Sequence, residues 1–136
     1  MNTLVKTPGV GIAALIVDRH KVLVGRRNKP PMRGSWQLPG GWLDYGDTPE
    51  RALAERIGQF PGMRVGRARF VAITDNHFAD GLHTISLYYR LTCVNPEAVD
   101  TGLNGSCDEW RWADWDTLPA PLFLPLELLK CSGFDL

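Results

Sequence analysis

Residues 40–63 read GGWLDYGDTPERALAERIGQFPGM, a glycine turn, a short helix and a closing glycine in immediate succession. Thr48 is a good N-cap, Pro49 is pre-organised for the first helical position, and Glu50 suits the positive end of the helix. Leu53, Ile57 and Phe60 recur at helical spacing and are expected to face a core. Gly58 costs about 1 kcal/mol relative to alanine inside a helix, and Pro61 pushes Phe60 away from helical geometry. The spacing therefore predicts a short helix that frays at Gln59 or Phe60.

Upstream, residues 10–17 form the run VGIAALIV, too continuous for a half-exposed strand and too short for an ordinary helix. Asp18, Arg19 and His20 then turn into the alternating KVLVGRR of residues 21–27, so the two segments read as a hairpin. Residues 28–34, NKPPMRG, contain two prolines and a glycine and are expected to form a basic loop. Residues 36–39, WQLP, are a short extended piece. Downstream, residues 67–76 and 83–94 carry the β-branched and aromatic side chains of two strands joined at Asp80-Gly81. Residues 96–106 are a polar loop, residues 109–113 alternate like a last strand, and residues 121–131 predict a closing helix begun near Pro125. This order implies an α+β fold with a mixed β-sheet between helices, and 136 residues suit a single domain, 1–136.

Fifteen basic and fifteen acidic residues balance to a net charge of zero, which supplies no field for gripping a nucleic-acid backbone or an anionic membrane. A small ligand held by a few local charges fits better. Cys93, Cys107 and Cys131 are odd in number and in no CxxC spacing, and are expected to be reduced and buried. The N-terminus lacks a secretory pattern and no stretch approaches the ~20 apolar residues of a membrane span, so a cytoplasmic protein is expected.

These stretches resemble the Nudix hydrolase superfamily, whose signature is G-x5-E-x7-R-E-U-x-E-E-x-G-U with U a bulky aliphatic. The likeness covers most of the chain: beyond residues 40–63 it includes PGVGIAALIV, VLVGRR, GSWQLPGGWLDYGDT and EWRWADWDTLP, which are similar to stretches of the small nucleotide-directed members. The resemblance implies an α/β/α sandwich, hydrolysis of a nucleoside diphosphate linked to another group, assistance by Mg or Mn held on helix carboxylates, and a homodimer.

Laid on this chain, the signature begins at Gly41, places Asp47 at its first Glu and closes at Gly62-Met63. Its Arg-Glu pair becomes Glu55-Arg56 and its Glu-Glu pair becomes Gln59-Phe60, so Arg56, Gln59 and Phe60 stand where three metal-binding carboxylates are usual. This is a degenerate box, and no carboxylate–cation site can be built from those three side chains. A register slid by one residue rescues Glu55 alone and spoils the match at Ile57 and Gly62. Asp44, Asp47 and Asp108 remain as candidate acids for a weak cation site. The alternative is that Asp47 caps or pairs locally while Glu50 and Glu55 are solvated helix residues.

Arg56 has two readings: a direct contact to a ligand phosphate, whose oxygens its fork matches, or an internal pair with Glu55, Asp47 or Asp44, the commoner fate of a buried arginine. Arg26, Arg27 and Arg33, with Lys29, make a positive cluster for an anionic ligand, and Gly40, Gly41 and Trp42 are candidate substrate-binding residues. Trp36, Trp110, Trp112 and Trp115 are either stacking platforms or core. His77 and His83, flanking Asp80, are either ligand contacts or surface histidines. The expected function is binding of, or action on, a nucleoside diphosphate derivative, whether nucleotide or sugar nucleotide, with metal-dependent pyrophosphohydrolase chemistry weakened or lost. A non-catalytic nucleotide-sensing or protein-interaction module is the alternative.

Overall fold

A computed structural model describes residues 6–101, 105 and 107–136. The apolar run at the N-terminus becomes β1 (Gly9–Asp18), hairpinned to β2 (Lys21–Arg27) with Val17 opposite Val22 and Asp18 opposite Lys21. The short strands β3 (Trp36–Gln37) and β4 (Gly40–Trp42) follow, then helix α1 (Pro49–Ile57). Next come β5 (Arg69–His77), β6 (His83–Thr92), β7 (Cys107–Asp114) and helix α2 (Leu124–Cys131).

The sheet runs β3-β2-β1-β6-β5, with β4 also on β1 and β7 also on β2. β1 lies parallel to β6, from Gly9 opposite Thr84 to Val17 opposite Thr92, and antiparallel to β2 and β4, so the sheet is mixed as expected. Burial of β1 on both faces accounts for its unbroken apolar run. Ile12, Ala14 and Ile16 face the layer containing Leu53 and Phe60, while Leu15 and Val17 face Leu126 and Leu129 of α2. Two helices thus cover opposite faces of one sheet.

Helix α1 is capped by Thr48, whose Oγ1 accepts from the Arg51 amide at 3.2 Å, and it closes on Gly58. It ends at Ile57, short of the fraying expected at Gln59 or Phe60, because Gly58 already takes the cap position. Phe60, beyond the helix, is 2% exposed and meets the Trp110 ring edge-on with centroids 5.0 Å apart. The 96–106 loop contains a 3-10 turn, Pro96–Ala98, and residues 102–104 and 106 of that expected loop lie outside the described residues. Cys93 and Cys107 are buried as expected, but Cys131 is exposed because the last turn of α2 turns it away from the sheet.

Candidate functional site

Between the sheet and α2, and reaching the C-terminal end of α1, lies a cleft of about 780 Å³. Its floor is the backbone of Gly11, Gly40 and Gly41, where two strands come within touching distance. A methyl at Gly40 would stand 2.5 Å from the Ile12 carbonyl oxygen, so the close pairing of β4 with β1 requires glycine there. A methyl at Gly41 would stand 2.5 Å from the guanidinium carbon of Arg56. The glycine therefore makes the bed on which Arg56 lies.

Arg56 lines the cleft, and its Nε is buried with no hydrogen-bond partner among the described residues. The expected internal pair is not formed: Glu55 is exposed, and the Asp47 carboxylate accepts the Thr48 amide at 2.9 Å and faces Arg51 at 3.6 Å. Asp44 is exposed and receives the Asp47 amide on its backbone carbonyl. A guanidinium in a cleft wall with one buried N–H unpaired among the described residues carries an unmet bond, since burying an unpaired donor costs about 1–3 kcal/mol.

Arg27 is a second cation in the cleft wall. It is 8% exposed, and its Nε donates to the Pro31 carbonyl at 2.8 Å, Nη2 to the Pro30 carbonyl at 3.1 Å and Nη1 to Gln37 Oε1 at 2.5 Å. Its guanidinium also lies over the Phe123 ring, 4.2 Å from the centroid. Burial pushes its pKa down from the ordinary arginine value. Carbonyls, an amide and a ring hold Arg27 in place without cancelling its charge, because none of them is an anion.

The other expected residues divide. Gly40, Gly41, Trp42, Gln59 and Lys29 line the cleft. Arg26 does not: on the exposed side of β2 its Nε donates to Asp108 at 3.0 Å, with Glu109 at 4.0 Å, and that hydrogen bond raises its pKa. Asp108 is thereby committed to Arg26 and stands outside the cleft with Asp44 and Asp47. Arg33 is exposed, with Nη1 donating to the Asn28 carbonyl, and is likewise outside. Of the tryptophans, Trp42 and Trp110 line the cleft, while Trp36 and Trp115 are core. His77 and His83 lie on the other side of their strands from Thr84 and Asn76, away from the cleft lining.

The remaining wall was not anticipated. Thr84, Ser86 and Tyr88 of β6 present a polar row, faced by Phe78, Phe123 and Leu126. The row follows from β6 alternation, in which every second side chain points the same way. Small polar residues at buried, alternating positions were the available signal. Asn76, fully buried, donates through Nδ2 to Thr84 Oγ1 and Ser86 Oγ, both at 2.9 Å, and fixes those hydroxyls from behind. Tyr88 shares a 2.9 Å hydrogen bond with Thr74 Oγ1.

Burial pushes the Tyr88 phenol from 10.0 up to about 12. The unfolded chain loses this proton above pH 10 while the fold retains it, so stability is complete below pH 10 and falls as pH rises towards 12. The loss amounts to on the order of 2–3 kcal/mol across that window. Urea midpoints are expected to fall more steeply with pH in the wild type than in Tyr88→Phe, and equal slopes would contradict the assignment.

A family model described as the NUDIX domain matches residues 5–128. The RNA pyrophosphohydrolase of Rickettsia bellii (strain OSU 85-389) is 30% identical over 126 residues, spanning 82% of this chain and 76% of that protein. The ADP-ribose pyrophosphatase of Methanocaldococcus jannaschii is 32% identical over 124 residues, spanning 90% and 72%. Among solved structures, a MutT NUDIX hydrolase from Burkholderia pseudomallei superposes with a TM-score of 0.77 at 27% identity, covering 95% of this chain and all of that one. The NUDIX domain of Shewanella oneidensis NrtR, crystallised with ADP ribose, gives 0.72 at 21% identity over 94% and 88%.

Proteins of this type generally use divalent metals, and the donor set here does not fit one. At the three positions that usually carry carboxylates, Arg56 brings a cation, Gln59 a neutral amide and Phe60 a ring buried against Trp110. Hard cations such as Mg²⁺ need several oxygen ligands of net negative charge. The acids that remain nearby are exposed or engaged elsewhere.

Proposed function

The chain belongs to the Nudix hydrolase family, and from that premise we propose that its cleft binds a nucleoside diphosphate derivative of the ADP-ribose or sugar-nucleotide kind without a metal, its hydrolytic chemistry weakened or lost. The observation that carries this reading is Arg56, laid across Gly41 in the cleft wall with a buried Nε that has no partner among the described residues. Together with Arg27 it puts positive charge into the cleft directly rather than through a carboxylate-held ion. A guanidinium fork matches phosphate oxygens and forms charge-assisted bonds about twice as strong as neutral ones. The polar row of Thr84 and Ser86 and the apolar wall of Phe78 and Phe123 then suit a nucleoside, which has hydrogen-bonding edges and flat faces.

Binding without turnover fits a sensing module, and two similar proteins support the ligand class: one is an ADP-ribose pyrophosphatase, and the other was crystallised with ADP ribose. The same reading includes a cytoplasmic homodimer, for which Phe70 and Ile73, both more than half exposed on β5, offer apolar surface.

The test is a panel of ADP-ribose, sugar nucleotides, and nucleoside di- and triphosphates, each with Mg²⁺, Mn²⁺ or a chelator, read by thermal shift and by product formation. ADP-ribose or a sugar nucleotide is expected to raise Tm equally with and without chelator and to remain intact. Chelator-sensitive turnover would sink the loss of metal chemistry, and a Tm unmoved by every ligand would sink the binding.

A further inference from the structure

We propose that Asp75, His77 and His83, at the outer end of the β5–β6 hairpin, form a binding site for one divalent transition-metal ion of the zinc or nickel kind. The site lies apart from the cleft and does not rest on the function proposed above. His77 and His83 stand directly opposite each other in the register, so their side chains share a face, and Asp75, two residues earlier on β5, shares it too. The two imidazoles are stacked, with centroids 4.1 Å apart and planes 19° apart. Each aims its Nε2 at the same carboxylate: His83 at Oδ1, 2.6 Å, and His77 at Oδ2, 3.1 Å.

The three donor groups therefore already converge, with their ligand atoms within 4.8 Å of one another. A tetrahedral zinc centre with bonds of about 2.0–2.2 Å holds its donors roughly 3.3 Å apart, so small side-chain rotations close the set and leave a fourth place for water. Two imidazoles and a carboxylate select zinc, nickel or copper over magnesium, which prefers an all-oxygen octahedron. For the imidazoles to bind, the proton each offers to Asp75 moves to Nδ1 or to solvent, which frees the Nε2 lone pair.

The backbone presets the arrangement. The Phe78 amide donates to the Leu82 carbonyl at 2.9 Å, and the Leu82 amide donates to Asp80 Oδ1 at 3.0 Å, which locks the turn between the two histidines. Little chain entropy is left to lose on binding. The second cluster of similar type, His20 with Asp114 and Asp116, has one imidazole, and Asp114 already accepts the Asp116 amide at 2.9 Å. It is the natural internal control. An ion at the hairpin site would also pin the two ends of the turn whose Phe78 and Leu82 line the cleft.

The experiment uses the full chain, free of any histidine tag and in a Cys131→Ser background so that the exposed thiol does not compete. It is stripped with chelator, dialysed and titrated with Zn²⁺ by calorimetry. One ion per chain is expected, with affinity reduced at least tenfold in His77→Ala and in His83→Ala and unchanged in His20→Ala. On the unsubstituted chain, NMR titration with Zn²⁺ is expected to shift the imidazole signals of His77 and His83 before that of His20, a readout that does not depend on how the variants fold. Affinity unaltered by His83→Ala, a first shift at His20, or no binding at micromolar Zn²⁺ would each overturn the site.

Discussion

Phe60→Glu is expected to destabilise the fold by about 4 kcal/mol or more, against about 3–5 kcal/mol for removing a buried phenylalanine ring and an added cost for placing a carboxylate in an apolar site. Phe60 is 2% exposed and packs edge-on against Trp110, within a cluster that includes Ile12, Leu53 and Leu91. A domain with the usual ~5–15 kcal/mol of total stability would then be close to unfolding at room temperature. Urea denaturation reads the effect directly, and a change below about 1 kcal/mol would show that position 60 can still accept an acid. The position matched to the last acid of the family signature lies in the core, so a carboxylate there removes packing that the fold depends on.

Arg56→Glu acts on binding where Phe60→Glu acts on folding. The substitution removes a cation from the cleft wall and puts an anion against the expected phosphates. Each charge-assisted hydrogen bond contributes about 1.5–3 kcal/mol, and the added repulsion works in the same direction. Affinity for ADP-ribose in chelator is expected to fall by at least about 100-fold, or about 2.7 kcal/mol, in calorimetric titration. Arg56→Gln is expected to fall between the two proteins while keeping full thermal stability, because it removes a buried N–H that has no partner among the described residues rather than a made bond. Wild-type affinity in Arg56→Glu would remove Arg56 from the ligand site.

The parts of the structure legible in the sequence are those set by neighbours along the chain. Thr48 and Pro49 fix the start of α1, and the unbroken apolar run of β1 its burial on both faces, whereas the end of α1, expected at Gln59 or Phe60, comes already at Gly58. Gly40, Gly41 and Trp42, candidates for substrate binding, line the cleft. Partnerships made across the fold were not legible. Arg26 and Asp108, 82 residues apart, each looked like a site residue, yet they neutralise each other on the exposed side of the β2–β7 pair.

Arg56 was expected to pair with Glu55, Asp47 or Asp44. Consecutive helix residues point about 100° apart, however, and Asp47 is occupied at the helix start, so Arg56 turns to the cleft alone. Phe60 shows the limit from the other side. Its spacing with Leu53 and Ile57 predicted a core contact, whereas its box position suggested a lost ligand, and both describe the same ring.

The five tryptophans divide the molecule optically as well as structurally. Trp36 and Trp115 are sealed in the core, Trp110 is shielded by Phe60, and Trp112 is partly buried with its indole nitrogen enclosed, whereas Trp42 packs over Gly9 at the cleft mouth with about half its surface in water. Indole emission moves to longer wavelength in water, so the red component of this protein's fluorescence is weighted towards one side chain, placed where a ligand would cover it. The mouth of the cleft is therefore labelled from within by the chain's own chromophore.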